Sequence, residues 1–372
     1  MHPSELPTLK ITNIRIYKFN IPRKDVFTIA TMSLDKCENV LIQMETNEGV
    51  TGWGEASPFH AIVGETQRID LAAALDLREI LLGKNPLNIA ALVDLMDYYL
   101  PNNPTIKSAF DMALWDIAAK VAGMPLYLFL GGEKRPIETD FTLSIGSAEE
   151  AQEKARQVVD MGYRMIKVKV GIDDEEDYRR LENIRSAVGE EPVIRIDANQ
   201  GWNRIQAVQN LRRFEPFGIE FVEQPCRATD PQGLKYISDH SPIPVMADES
   251  IFSPFDAMNL IRADAVPYFN VKLSKSGGIY NALRIAHIAE AGGRVCMVGC
   301  MSESPLGLTA AAHLALASPV FRFFDLDSFL EHAENPILGG VKIEKGMVEI
   351  PDEPGLGAEP DPAYLKKLEE VR

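Results

Sequence analysis

The chain is short of cysteine, histidine and positive charge, and it has no apolar run long enough to cross a membrane. Its 372 residues hold 4 cysteines and 6 histidines, and 38 basic residues stand against 54 acidic ones, a net charge of −16. Each shortage excludes something. Cys37, Cys226, Cys296 and Cys300 are too few and too scattered for a disulfide framework, so Cys37, Cys226 and Cys296 are expected as buried thiols packing as small apolar groups. The acidic balance argues against nucleic acid or an anionic membrane as partner, because both select basic patches. Arg179-Arg180 and Arg212-Arg213 read as isolated pairs on the outer faces of helices. Met1-His2-Pro3-Ser4-Glu5 lacks the basic start and apolar centre of a signal peptide, and the lack of a membrane span points to the cytoplasm.

What is present is a period. Short apolar runs end, again and again, on a residue able to do chemistry: Thr142, Lys169, Asp197, Glu223, Asp248, Lys272, Cys300 and Asp325 follow one another at steps of 24 to 28 residues. Amphipathic segments such as Ala151 to Met161 and Asp177 to Val188 separate the runs, as expected of parallel strands joined by helices. Eight in succession fit a closed (β/α) barrel better than an open sheet, and a barrel of this kind keeps its active site at the C-terminal ends of its strands.

The first 130 residues follow another pattern. Residues 9 to 20, 38 to 46 and 50 to 55 alternate as a β-meander, with Ile21 to Lys36 between the first two as a long loop of the lid or binding-loop kind. Helical patterns follow at Glu65 to Leu82, Ile89 to Tyr99 and Thr105 to Val121. In the last, Thr105 is the expected cap, Ala109, Met112, Ala113, Ile117 and Val121 the apolar stripe, and Gly123 with Pro125 the stop. The expected division is 1–130 as an α+β capping domain, 131–345 as the barrel, and 346–372 as a C-terminal segment, with a hairpin in Asn335 to Pro354.

Asp197, Glu223 and Asp248 end three consecutive strands, so their side chains should converge at one edge of the barrel mouth. Three carboxylates that close repel one another unless a cation lies between them. Oxygen ligands alone suit Mg²⁺. The histidines (His2, His60, His240, His287, His313, His332) all fall outside the strand ends, which argues against zinc. Lys169 lies one strand before the triad and Lys272 one strand after, so a ligand bound there would have an amine on each side. With its carboxylate on Mg²⁺, the natural chemistry is proton removal at the α-carbon and return from the other face, which inverts the centre. Lys167 shares a face with Lys169, being two residues away in a strand.

These residues resemble those of the enolase superfamily, muconate lactonizing enzyme subgroup. Lys167-Val168-Lys169 looks like the KxK of the second strand, Asp197, Glu223 and Asp248 like the Mg²⁺ ligands, and Lys272 with Ser276-Gly277-Gly278 like the sixth-strand lysine; a mandelate racemase would place a histidine base late in the barrel. Trp53-Gly54-Glu55, Ala113-Leu114-Trp115-Asp116, Leu130-Gly131-Gly132 and Pro354-Gly355-Leu356-Gly357 extend the likeness over nearly the whole chain. It implies an enolase-like α/β fold: a (β/α)7β modified TIM barrel under an α+β capping domain, with one Mg²⁺ per active site and a small-molecule substrate, in a homo-oligomer.

Within the subgroup, Asp325-Leu326-Asp327 matches the DxD motif of dipeptide epimerases, whose two carboxylates hold the substrate's ammonium. Thr142 and Cys300 match positions near the substrate, Lys167 would contact its carboxylate, and Lys169 and Lys272 would exchange the α-proton of the second residue. Relatives acting on L-Ala-D/L-Glu commonly carry an arginine in the first mobile loop. Counting from Phe27, that position is Met32, which implies an uncharged, hydrophobic second residue. The alternatives are an L-Ala-D/L-Glu epimerase proper, an N-acylamino acid racemase or o-succinylbenzoate synthase, and a non-catalytic binding protein on the same fold.

Overall fold

The structure is a computed structural model that describes residues 9–372; Met1–Glu5 and His2, on which part of the reading above rests, lie outside the described residues. Strands β1 (Ile11–Ile29), β2 (Met32–Thr46) and β3 (Thr51–Ala56) form an antiparallel meander. Alternation drives this: Ile14, Ile16, Val40, Ile42 and Met44 turn one face onto the helices Gln67–Leu81, Ile89–Tyr99 and Pro104–Ala122. The last helix lies directly on β3. A Cβ at Gly52 or Gly54 would collide with the carbonyl oxygens of Ala113 and Ala109, so only glycine permits this approach.

Several expectations fail here for physical reasons. Ile21–Lys36 is not a loop: β1 and β2 run on as a hairpin, pairing Phe27 with Leu34, Thr28 with Ser33 and Ile29 with Met32 beyond an irregularity between Pro22 and Phe27. Most of Pro22–Val26 faces solvent, so no burial pattern marked it as strand. Thr105 is no cap either. The helix starts on Pro104 after Asn103, where a missing N–H costs nothing, and Thr105 is buried with its hydroxyl 3.4 Å from Ser274 O of the barrel. Val121 leaves the apolar stripe and is 49% exposed.

The barrel strands are β4 (Phe141–Leu143), β5 (Met165–Lys169), β6 (Val193–Asp197), β7 (Ile219–Glu223), β8 (Val245–Ala247), β9 (Tyr268–Val271), β10 (Val295–Val298) and β11 (Phe321–Phe324). They pair in parallel in that order, with helices packed between successive strands. At the seam, Asp140 N donates to Phe324 O (3.4 Å) and Thr142 N to the Asp327 carboxylate (2.6 Å). Phe221, Met246, Met297, Tyr268 and Phe323 pack together in the sheet's interior. Against Phe221 and Phe323 lies the Arg195 guanidinium, 5.1 and 5.4 Å from the ring centres and bonded to Asp140 and Glu220. All four cysteines are buried free thiols. Arg180, read above as an outer-face residue, is 1% exposed and donates to Asp177 and to Lys169 O.

After the barrel, Lys342–Glu344 and Met347–Glu349 form the hairpin, while Ile337–Gly339 pairs with Ala358–Pro360 of the tail, and Glu370–Val371 adds an edge strand to β1. Three buried carboxylates staple the capping domain down. Glu55 accepts from the backbone N–H groups of Ser304 and Gly307, Asp111 from those of Ile279 and Tyr280, and Asp116 from that of Leu356. Glu55 and Asp111 thus sit at the N-termini of barrel helices, where partial positive charge suits an anion. No helix among the described residues is long and apolar enough to cross a membrane.

Candidate active site

Five parallel strands deliver the charged groups. Lys167 and Lys169 come from β5, Asp197 from the end of β6, Glu223 from the end of β7, Asp248 from just after β8 and Lys272 from just after β9. All six are buried, the carboxylates completely. Each strand is mostly apolar up to its end, so the sheet holds the backbone while the last side chain faces the mouth.

The lysines are arranged by the acids. Lys169 Nζ donates to Asp197 Oδ2 (2.6 Å) on one flank, and Lys272 Nζ to Asp248 Oδ2 (2.9 Å) on the other. Glu223, from the strand between, lies 3.8 Å from Lys272. Burial alone would lower the Lys272 ammonium, but Asp248 and Glu223 outweigh it and raise it well above the ordinary lysine range. Lys167 lies within 2.7 Å of both Glu223 and Asp325 and 3.3 Å from Asp197. Against the cost of burial, these acids hold it well above its ordinary value too.

The acid triad has the chemistry of a hard-cation site. One oxygen from each of Asp197, Glu223 and Asp248 lies within 4.8 Å of the others, with no imidazole or thiol in the group. Glu223 Oε2, though 2.7 Å from Lys167, accepts no hydrogen bond. Burial, and then the charge of Asp197, push Glu223 up to about 7. A buried oxygen without a hydrogen bond, on a carboxyl that its neighbours press toward neutrality, is what a divalent cation would relieve. The residues present therefore fit Mg²⁺.

A second acid group lies beside the first, made of Asp325, Asp327 and Cys300, whose thiol is 3.9 Å from each aspartate. The two aspartates differ. Asp325 is bonded to Lys167 (2.7 Å) and, despite burial, its lysine neighbours lower it to about 2. Asp327 accepts from Thr142 N, and burial followed by the charge of Asp325 raises it to about 7.

One cavity connects these groups. Thr142, Lys169, Lys272, Cys300, Asp325 and Asp327 line it, with the metal-type triad packed behind. Lys167 does not line it, being closed off by its three carboxylates. Met32 does not line it either. It is half-buried in the hairpin, paired with Ile29, and Ile29, Phe27 and Arg23 take the wall instead. The count from Phe27 assumed an irregular loop, whereas Met32 is the first residue of the second strand of a hairpin, directly after the turn.

Sequence reasoning missed much of the rest of the wall: Phe59 and Ile62 from the segment after β3, Met301, Ser302, Ser328 and Glu331. None lies in a periodic run. Asn199 also lines the cavity, and its place two residues after Asp197 was a usable signal.

Residues 11–131 match the mandelate racemase / muconate lactonizing enzyme N-terminal domain, and residues 150–364 match the enolase C-terminal domain-like family. The D-Ala-D/L-Ala epimerase of Cytophaga hutchinsonii is 41% identical over 97% of this chain and 99% of its own length. The L-Ala-D/L-Glu epimerase of Clostridium acetobutylicum is 38% identical over 94% of this chain and 98% of its own. A crystal structure of the dipeptide epimerase from Cytophaga hutchinsonii, complexed with Mg and the dipeptide D-Ala-L-Val, matches with a TM-score of 0.96 at 41% identity, covering 97% of this chain and 99% of that one. The chain belongs to the enolase superfamily, in its mandelate racemase / muconate lactonizing enzyme family.

Proposed function

We propose that this protein is an isomerase, a Mg²⁺-dependent dipeptide epimerase that inverts the α-carbon of the second residue. The observation that carries the reading is the pairing, in one cavity, of two lysines on opposite flanks of a carboxylate triad with two aspartates suited to an ammonium. Mg²⁺ bound at Asp197, Glu223 and Asp248 would polarise the substrate carboxylate and acidify the adjacent C–H.

The side chains do the rest. One of Lys169 and Lys272 takes the α-proton, and the C–H electron pair moves into the carboxylate. The other, entering protonated, delivers its proton to the opposite face, and the centre is inverted. Asp325 and Asp327 hold the ammonium of the first residue near Thr142 and Cys300. Lys167 offsets the surplus of negative charge among three of the acids, and meets the substrate carboxylate only by loosening one of those pairs. An N-acylated substrate would leave Asp327 without a cation, at a desolvation cost, while Asp325 kept only Lys167.

An uncharged second residue is supported by the wall of Phe27, Ile29, Phe59 and Ile62, and the ligand of the Cytophaga hutchinsonii structure has valine there. One observation favours an acidic residue instead: Arg23 reaches the same cavity, stacked 5.1 Å from the Phe27 ring. Comparison of kcat/KM for L-Ala-L-Leu and L-Ala-L-Glu decides between them. A more than tenfold preference for glutamate would end the hydrophobic assignment. The reaction itself is tested by mass spectrometry of dipeptides incubated with enzyme and Mg²⁺ in D2O. Deuterium at the second α-carbon is expected, and its absence across a dipeptide library would remove the proposal.

A further inference from the structure

Gln224 follows Glu223 directly, and its backbone stands in the left-handed region, with φ at +34°. A side chain there carries backbone strain that glycine would avoid. The position is nonetheless filled by a long polar residue, completely buried.

The hydrogen bonds of Gln224 give the reason. Its Oε1 accepts from Asp248 N (2.8 Å) and Ser250 N (3.1 Å), and its Nε2 donates to Ser250 Oγ (2.8 Å) and Cys226 O (2.9 Å). Its backbone N donates to Met246 O, and its carbonyl accepts from Gln200 N, both at 2.9 Å. Gln200, three residues beyond Asp197, also has a positive φ. One residue therefore ties together the chain just past the ends of β6, β7 and β8, the three strands that carry the triad.

We infer that Gln224 is a positioning residue that sets the spacing of Asp197, Glu223 and Asp248 for a divalent cation. The strained backbone turns the amide sideways onto the β8 segment, where it holds Asp248 by its own N–H. Glycine would relieve the strain and lose the link. Partners that hold a ligand residue in place commonly govern metal affinity by 10- to 100-fold.

This rests on the reading of the triad as a metal site, and the test separates the two. Mn²⁺ binding is measured by electron paramagnetic resonance on the full-length wild-type protein, on Gln224→Met, which keeps the length without the bonds, and on Gln224→Glu, which keeps the acceptor for the two amides. Wild-type protein that binds no Mn²⁺ would refute the metal site itself. With wild-type binding intact, a Kd at least tenfold weaker in Gln224→Met and within threefold of wild type in Gln224→Glu is expected. Equal affinity in Gln224→Met, or equal weakening in both variants, overturns the positioning role. If Gln224→Met does not fold, Ser250→Ala serves in its place. It removes one partner of the amide and should weaken Mn²⁺ about threefold, and unchanged affinity overturns the inference.

Discussion

The capping domain meets the barrel in two unlike ways. On one side Glu55, Asp111 and Asp116, all buried, accept hydrogen bonds from the backbone of barrel helices and of the tail. On the other, the β1–β2 hairpin reaches over the barrel mouth through few contacts: Ala333 N to Pro22 O, Lys24 Nζ to Leu330 O (both 2.8 Å), Ile145 N to Thr28 O (3.0 Å) and Cys37 Sγ against His332 Nε2 (3.2 Å). Lys24, Asp25 and Val26 are exposed. A stapled interface does not open without stranding charges in an apolar setting. The hairpin loses only exposed or single bonds, so it is the side expected to part for substrate. The strand-end groups of the barrel belong with the stapled side, since their acids and lysines fix one another.

The largest effect should come from the fixed side. Lys272→Ala removes one of the two proposed bases, and epimerisation should fall by about 10³-fold or more in both directions. Deuterium exchange through Lys169 should persist for one epimer. Wild-type turnover in a variant lacking both lysines would refute the two-base assignment.

Glu55→Ala strands the N–H groups of Ser304 and Gly307 and removes one of the two acceptors of the Asn39 amide. A loss of about 3 kcal/mol in denaturant unfolding is expected. A loss below about 1 kcal/mol would mean that the staple is no stiffer than the hairpin.

Asp327→Asn should lower dipeptide kcat/KM by about 10- to 100-fold, the worth of a charge-assisted contact, while leaving Mn²⁺ affinity unchanged. In the wild-type free enzyme Asp327 stands at about 7. Below that it takes a proton and no longer attracts an ammonium, so KM should rise as pH falls through about 7. A KM flat between pH 5 and 8 would argue against Asp327 as the ammonium partner.

The smallest effect belongs to the hairpin. Arg23→Met should change kcat/KM for L-Ala-L-Leu by less than about threefold, as expected of a rim charge that forms no ion pair among the described residues. A tenfold loss would make Arg23 part of the fixed machinery.

Much of the barrel was legible because its signals are local. Each of the strands from β5 to β11 is a mostly apolar run, and the end residues Lys169, Asp197, Glu223, Asp248 and Lys272 lie where the run stops. The hairpin was not legible. Most of Pro22–Val26 faces solvent, so alternation carries little information there, and Met32 was assigned to a cavity that Ile29 and Arg23 line. Phe59 and Ile62 gave no sign because the helix they belong to, His60–Val63 with Phe59 at its start, is a single turn and too short to show a period. Arg180 misled for a related reason: an arginine in a helix is read as solvated until its carboxylate partner and the Lys169 carbonyl are seen beside it.

The order of residues alone determined that eight strands would alternate with helices and that acids and amines would end them, because chain period and side-chain direction are properties of a few consecutive residues. Tertiary structure alone decided that Lys167 is locked among three acids, that Asp325 and Asp327 titrate apart, and that a strained Gln224 ties three strand ends together. Charge pairing and desolvation depend on distances between residues far apart in the chain, and only the closed sheet sets those distances.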